Sequence, residues 1–263
     1  AQLRAVASAV VAAVPPGRAI LRGGAYKPRT SPYAFQGLGA IGLHLLRRAG
    51  EEFGLPVCSE ALDERSLDEV AASCDLIQIG ARTMAAYGLL RQTGRCGKPV
   101  LLKRGFGATV DEWLGAAEHL LAAGAPAVIL CERGVRSFDK STRAALDLGG
   151  LAAARMKTRL PILVDPSHAA GSRSLVRPLA LAGMAAGAAG LMIECHPEPA
   201  ESRSDAAQAL SLRELSAIVR TAFEIARTAQ EEPPQGDEPW SPQETPDQAT
   251  RPSETPATRF ACR

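Results

Sequence analysis

Aromatic residues make up only 4% of this 263-residue chain, so its core must be built from small and aliphatic side chains. That suits Ala-rich helices packed closely on a sheet. Neither sign of charge is in excess. The formal net charge is +2, which leaves no global electrostatic case for nucleic acid. Six cysteines are scattered without a C-x-x-C pair, and a chain of this size gains little from disulfides. Reduced thiols and a cytoplasmic setting are therefore expected. Long hydrophobic runs are missing as well. Ala5–Val14 has no basic cluster before it and is closed by Pro15-Pro16, which predicts a helix rather than a signal peptide. Leu179–Ile193 is too short to span a bilayer and holds three glycines, so no membrane attachment is expected.

What is present is concentrated first in Leu21–Gly39, LRGGAYKPRTSPYAFQGLG. Arg22, Lys27 and Arg29 fall within eight residues, with Gly23, Gly24 and Pro28 between them and Thr30-Ser31 behind. Cations this close repel one another unless an anion sits among them. Glycine lets the backbone approach that anion and proline fixes the loop. The segment predicts a rigid phosphate cradle; the alternative on local composition is a solvated basic turn.

Short apolar runs then recur about every twenty-five residues: Ala19–Leu21, Pro56–Cys58, Leu76–Ile79, Val100–Leu102, Val128–Cys131, Ile162–Val164 and Leu191–Ile193. Helical spacing fills the intervals, as in Leu67–Ser73, Thr109–Ala123 and Thr142–Met156, and a last helix is expected over Leu212–Arg227. This alternation predicts an α/β fold with a parallel sheet, specifically a (β/α)8 TIM barrel with one unit, the first β-strand, unaccounted for. Residues 1–230 are read as the barrel domain. Residues 231–263, rich in Pro, Glu and Gln, are read as a disordered tail.

The runs end in Arg22, Glu60, Gly80-Ala81-Arg82, Lys103-Arg104-Gly105, Glu132-Arg133-Gly134, Asp165-Pro166-Ser167-His168 and Glu194-Cys195-His196. In a parallel barrel these ends meet on one rim, the catalytic face. Arg82, Lys103 and Arg133 join Arg22, Lys27 and Arg29 there, which predicts a pocket for small substrates bearing several phosphates or carboxylates. His168, Glu194 and Asp205 offer one imidazole and two carboxylates, a donor set suited to Mn²⁺, Fe²⁺, Co²⁺ or Zn²⁺. A hydrogen-bonded loop histidine and salt-bridged acids are the alternative for the same three residues. His44 and His119 fall in helical segments and are read as structural; His196 stays ambiguous.

The segments RGGAYKPRTSPYAFQGLG, GLPVCSEALD, LIQIGART, KPVLLKRG, AVILCERG, LPILVDPSHAAG, GLMIECHPEP and SDAAQAL extend from Arg22 to Leu210. Together they resemble the 3-deoxy-D-arabino-heptulosonate-7-phosphate (DAHP) synthases, in the form related to the 3-deoxy-octulosonate-8-phosphate synthases. The resemblance implies a metal-dependent transferase that condenses phosphoenolpyruvate (PEP) with erythrose 4-phosphate and water, the first step of the shikimate pathway. It implies that Arg82, Lys103 and Arg133 hold PEP beside the backbone of Gly80-Ala81, with Arg22 in the same pocket. Arg29, Thr30 and Ser31 would take the aldehyde's phosphate, and Lys27 would protonate its oxygen. Glu60 would orient water, and Asp165 would orient its neighbours. His168 would serve both the chemistry and the metal, with Glu194 and Asp205 as the other ligands. An intact Lys27-Pro28-Arg29-Thr30 favours the four-carbon sugar over the pentose phosphate of the sister family. A homo-oligomer, dimer or tetramer, follows from the same likeness.

Two departures stand out. The family's fourth metal ligand, a Cys in an Ala-Gly-Pro-Cys motif ending the first strand, has no counterpart here, and Ala1-Gln2-Leu3 resembles the helix after that strand. Cys58, Cys131 and Cys195 are not assumed to replace it. The second departure is Ala206-Ala207 after Asp205, where the family usually has Gly-Pro. A catalytically impaired barrel that binds phosphorylated ligands or regulates is therefore the alternative to an active synthase.

Overall fold

The computed structural model describes residues 1–229, so the expected tail lies outside the described residues. Helix α1 (Gln2–Ala13) precedes β1 (Leu21–Arg22), and strands and helices then alternate. They are α2 (Ala40–Phe53), β2 (Val57–Ala61), α3 (Glu64–Ser73), β3 (Leu76–Ile79), α4 (Tyr87–Arg95), β4 (Val100–Lys103) and α5 (Val110–Ala122). The second half comprises β5 (Val128–Glu132), α6 (Leu148–Lys157), β6 (Ile162–Val164), α7 (Pro166–Ala170), α8 (Arg173–Ala185), β7 (Gly190–Leu191) and α9 (Leu212–Ala229). All seven strands form one parallel sheet in chain order. The sheet curls as the (β/α) barrel reading requires, and among the described residues β1 and β7 are not paired with each other. The helical layer does close: α9 packs on α8 and α1, and α1 packs on α2.

Residue pattern explains why the strands lie as they do. Side chains alternate across a strand. Val57, Ile77, Ile79, Val100, Leu102, Val128, Leu130, Ile162 and Val164 join the large core between sheet and helices. The residues between them point inward, where Cys58, Leu76, Leu101, Cys131 and Met192 form a small apolar floor with Ile129 and Leu163. Two residues further along each strand, the same inner face carries Glu60, Gln78, Lys103, Arg133, Asp165 and Glu194. The alternation that buries one face for the helices thus stacks charge above an apolar plug on the other. Each fully buried Leu or Ile of the outer layer contributes on the order of 1.5–3 kcal/mol, and Trp113 joins them with its indole N–H donating to the Leu102 carbonyl at 3.2 Å.

Helix starts follow local chemistry. Asp63 and Thr109 each cap a helix reciprocally, with Ser66 for α3 and Glu112 for α5. One expected helix starts later than its spacing suggests. Residues 142–147 are a loop rather than the first turn of α6, because Ala144 N–H donates to Ala169, Ala145 bridges Val135, and Asp147 caps the helix through Gly150 N–H. Tertiary pairing outbids helical spacing there.

Candidate active site

The strand ends open into one cavity of about 450 Å³. It is lined by Arg22, Lys27, Arg29, Thr30, Ser31, Glu60, Gly80, Ala81, Arg82, Lys103, Arg133, His168 and Asp205, with Gly24, Tyr26, Pro28, Ala34, Phe106 and Arg143 beside them. Glu194 reaches the same place through its partners. Its Oε1 accepts from Arg22 Nη1 at 2.8 Å and lies 3.8 Å from His168 Nε2.

Many of the polar side chains are held by one another. Asp165 is fully buried; as the cap of α7 it accepts from His168 N–H at 3.0 Å, and its other oxygen meets both Lys103 Nζ and His168 Nδ1, the latter at 2.7 Å. Burial alone would raise this carboxyl. The charges of His168 and Lys103 overcome burial and hold it well below the usual range. Burial likewise opposes ionisation of Glu194, and Arg22, His168 and Lys27 keep its carboxyl low. Arg22 Nε also donates to Gln78 at 2.6 Å, and Gln78 donates to Glu60 at 2.8 Å. Gly80 is required beside this chain of contacts, because a Cβ there would collide with the Glu60 carboxylate.

Asp205 sits at φ 60, the one non-glycine residue in the left-handed region among those described. Lys27 Nζ lies 3.1 Å from its Oδ2 and Arg143 Nη1 3.6 Å from its Oδ1. Against the opposing effect of burial, Lys27 and His168 bring its pKa down to about 2. Two ion pairs, Arg22–Glu194 and Lys27–Asp205, therefore join the β1 side of the sheet to the segment after β7, where no strand pairing does.

The fit to a divalent cation rests on this donor set. His168 keeps Nε2 facing Glu194 because Asp165 engages Nδ1, the arrangement in which a carboxylate orients a metal-binding imidazole. Asp205 is turned to Lys27, and among the described residues no three His, Cys, Asp or Glu side chains are already gathered as a ligand cluster. Cys58 and Cys131 lie in the apolar floor and Cys195 packs beside α8, and none of the three lines the cavity. Burial pushes the Cys58, Cys131 and Cys195 thiols up to about 12. His196, left open by sequence, pairs locally with Glu198 and is not among the cavity-lining residues.

Gln78, Phe106 and Arg143 also belong to the site, although the charged strand ends do not single them out. A polar Gln78 inside an otherwise apolar strand was a usable signal. Phe106 and Arg143 lie in loops whose approach to the cavity depends on tertiary structure.

With this geometry in hand, the relatives are informative. Residues 1–231 match the sequence profile of the DAHP synthetase I family. The chain belongs to that family. It is 49% identical over 210 residues to the phospho-2-dehydro-3-deoxyheptonate aldolase of Thermotoga maritima, covering 80% of this chain and 62% of that one. It is 31% identical to the 2-dehydro-3-deoxyphosphooctonate aldolase of Thioalkalivibrio sulfidiphilus, over 76% of this chain and 75% of the relative. The crystal structure of the Thermotoga DAHP synthase superposes with a TM-score of 0.80 at 44% identity, over 86% of this chain and 64% of that one. A truncated form of that synthase gives a TM-score of 0.78 at 42% identity, over 86% and 81%. The chain thus spans less than two thirds of the full-length Thermotoga relative. Members of this family are generally metal-dependent. No helix among the described residues is long and apolar enough to cross a membrane.

Proposed function

We propose that this chain is the barrel of a DAHP synthase, joining PEP to erythrose 4-phosphate with water to give DAHP and inorganic phosphate at the entry to aromatic amino acid biosynthesis. The observation that carries the reading is the assembly of Lys103, Arg133, Arg82, Arg29 and Lys27 around one cavity, together with family membership. The greater identity to the heptonate relative than to the octonate one, and the intact Lys27-Pro28-Arg29-Thr30, support the four-carbon aldehyde.

Lys103, Arg82 and Arg133 neutralise the carboxylate and phosphate of PEP, while Arg29 with Thr30 and Ser31 receives the aldehyde's phosphate at the outer rim. Holding both substrates in one cavity turns a two-body collision into a local event. The methylene carbon of PEP bonds to the aldehyde carbon, Lys27 gives the new alkoxide its proton, and water adds to the neighbouring carbon that carries phosphate, which then departs. Glu60, fixed by Gln78 and Gly80, orients that water. His168, Glu194 and Asp205 would hold a divalent cation, Mn²⁺, Fe²⁺, Co²⁺ or Zn²⁺, which when bound supplies Lewis acidity at the aldehyde oxygen. A cytoplasmic barrel of residues 1–230 with a separate tail fits the composition. Exposed Ile41 and Leu45, one helical turn apart on α2, support assembly into a homo-oligomer.

Phosphate release from PEP plus erythrose 4-phosphate, measured on metal-stripped protein and again with Mn²⁺, tests the reading. Release that needs both substrates and the metal is the expected result. A melting temperature raised by PEP without phosphate release would instead select the binding-only homologue. That second reading draws on the partnering of Glu194 and Asp205 by Arg22 and Lys27.

A further inference from the structure

Phe106 lies half-buried on the loop after β4, at the wall of the cavity. Three guanidiniums surround its ring: Arg133 at 4.6 Å, Arg136 at 5.2 Å and Arg82 at 5.3 Å from the centroid. The ring is also fixed in place. Its backbone carbonyl accepts from Arg136 N–H at 2.7 Å, and Arg104 ties down the same loop by donating to the Ala108 carbonyl at 2.9 Å.

The partners of these arginines are unusual. Among the described residues none of the three is paired with a carboxylate, whereas Arg22, Lys27 and Lys103 all are. Arg133 is only 3% exposed, and its one side-chain hydrogen bond goes to the Gly134 carbonyl at 3.3 Å. Arg82 reaches only Thr30 Oγ1, at 3.5 Å. Three like charges with no counterion need something to hold them together. A carboxylate would do so by occupying the position that a substrate anion must take. An aromatic face attracts cations through its quadrupole while bringing no net negative charge.

We propose that Phe106 is a positioning residue, a π platform that holds Arg82 and Arg133 at the cavity wall, with Arg136 on the same ring, and leaves the charge of the two lining arginines free for the carboxylate or phosphate of the substrate. This deepens the reading of the cavity as a PEP site and rests on it. Arg136, to which the family resemblance gives no role, does not line the cavity and is the third cation held against the ring.

The test compares the 263-residue chain with Phe106→Leu, Phe106→Trp and a series carrying one, two or three fluorines on the Phe106 ring. Fluorination withdraws charge from the ring face at nearly constant shape, which a merely space-filling role would not register. PEP and inorganic phosphate are each titrated against these proteins by calorimetry. Affinity for both anions is expected to fall about tenfold in Phe106→Leu. It should stay within about threefold of the parent in Phe106→Trp and decline stepwise with each fluorine. If Phe106→Leu does not fold, the fluorinated series decides. Unchanged affinities across that series would overturn the platform and leave the synthase reading intact. Ring-dependent phosphate binding, with PEP bound no more tightly than phosphate, would keep the platform and remove the synthase reading. A parent protein that binds neither anion would remove both.

Discussion

At the scale of single residues, the cavity is governed by what each charge is offered as a partner. Lys103 and Asp165 satisfy each other in a dry setting, so removing one strands the other. Lys103→Met should cost about 3–5 kcal/mol in urea denaturation, moderated by the His168 contact that Asp165 retains, and should abolish the rise in melting temperature on adding PEP. Gly80 matters for the opposite reason, as space that Glu60 uses. Gly80→Ala should displace that carboxylate and lower kcat at least about tenfold while circular dichroism stays native, since overpacking costs roughly 1–3 kcal/mol. Turnover unchanged in Gly80→Ala would remove Glu60 from the chemistry. The charged strand ends announced these residues in the sequence. The partners did not, because pairings such as Lys103 with Asp165 join positions sixty-two residues apart.

At the scale of elements, some helix starts were readable in the sequence and one was not. Asp63 and Thr109 carry capping chemistry in their own short segments. The Asp63 carboxylate accepts from Ser66 N–H and hydroxyl, and these bonds hold its pKa below the ordinary value. A lowered folded pKa stabilises above the unfolded value of about 3.9, and that contribution is lost as pH falls through the folded value. Asp63→Ala should therefore cost about 1 kcal/mol near neutral pH and progressively less in acid, whereas Asp63→Asn keeps the cap and loses the pH dependence. Chemical denaturation from pH 2 to 7 would read both. The start of α6 was not readable locally, since residues 142–147 are held in a loop by Val135, Ala169 and Gly134 from other parts of the fold.

At the scale of the whole molecule, a nearly neutral chain concentrates positive charge at one end of its sheet. Net charge says nothing of this, because acids elsewhere cancel the excess. The cavity's attraction for a multiply charged anion should weaken with salt, exposed cations such as Arg82 and Arg143 being screened most. Raising ionic strength from 0.05 to 0.5 M should weaken PEP binding by about an order of magnitude in calorimetry, with little change for a neutral sugar. A flat response would mean that the paired, buried cations alone hold the substrate. The ion pairs linking the β1 side to the segment after β7 belong to this scale too, joined there by Arg203 over the Phe35 ring.

The alternation of strand and helix, the chemistry placed at each strand end, and the family are all written in the order of the residues. Those are local or periodic properties: a period of two puts Leu101 on the floor and Lys103 on the rim, whatever surrounds them. Which charges neutralise one another and which stay free depends instead on how the folded chain brings them together. The curl of the sheet brings Arg22 to Glu194 and Lys27 to Asp205, and leaves Arg82, Arg133 and Arg136 around a phenylalanine ring. Coulomb and quadrupole interactions act over a few ångströms in space, and the spacing of residues along the chain carries no record of those distances.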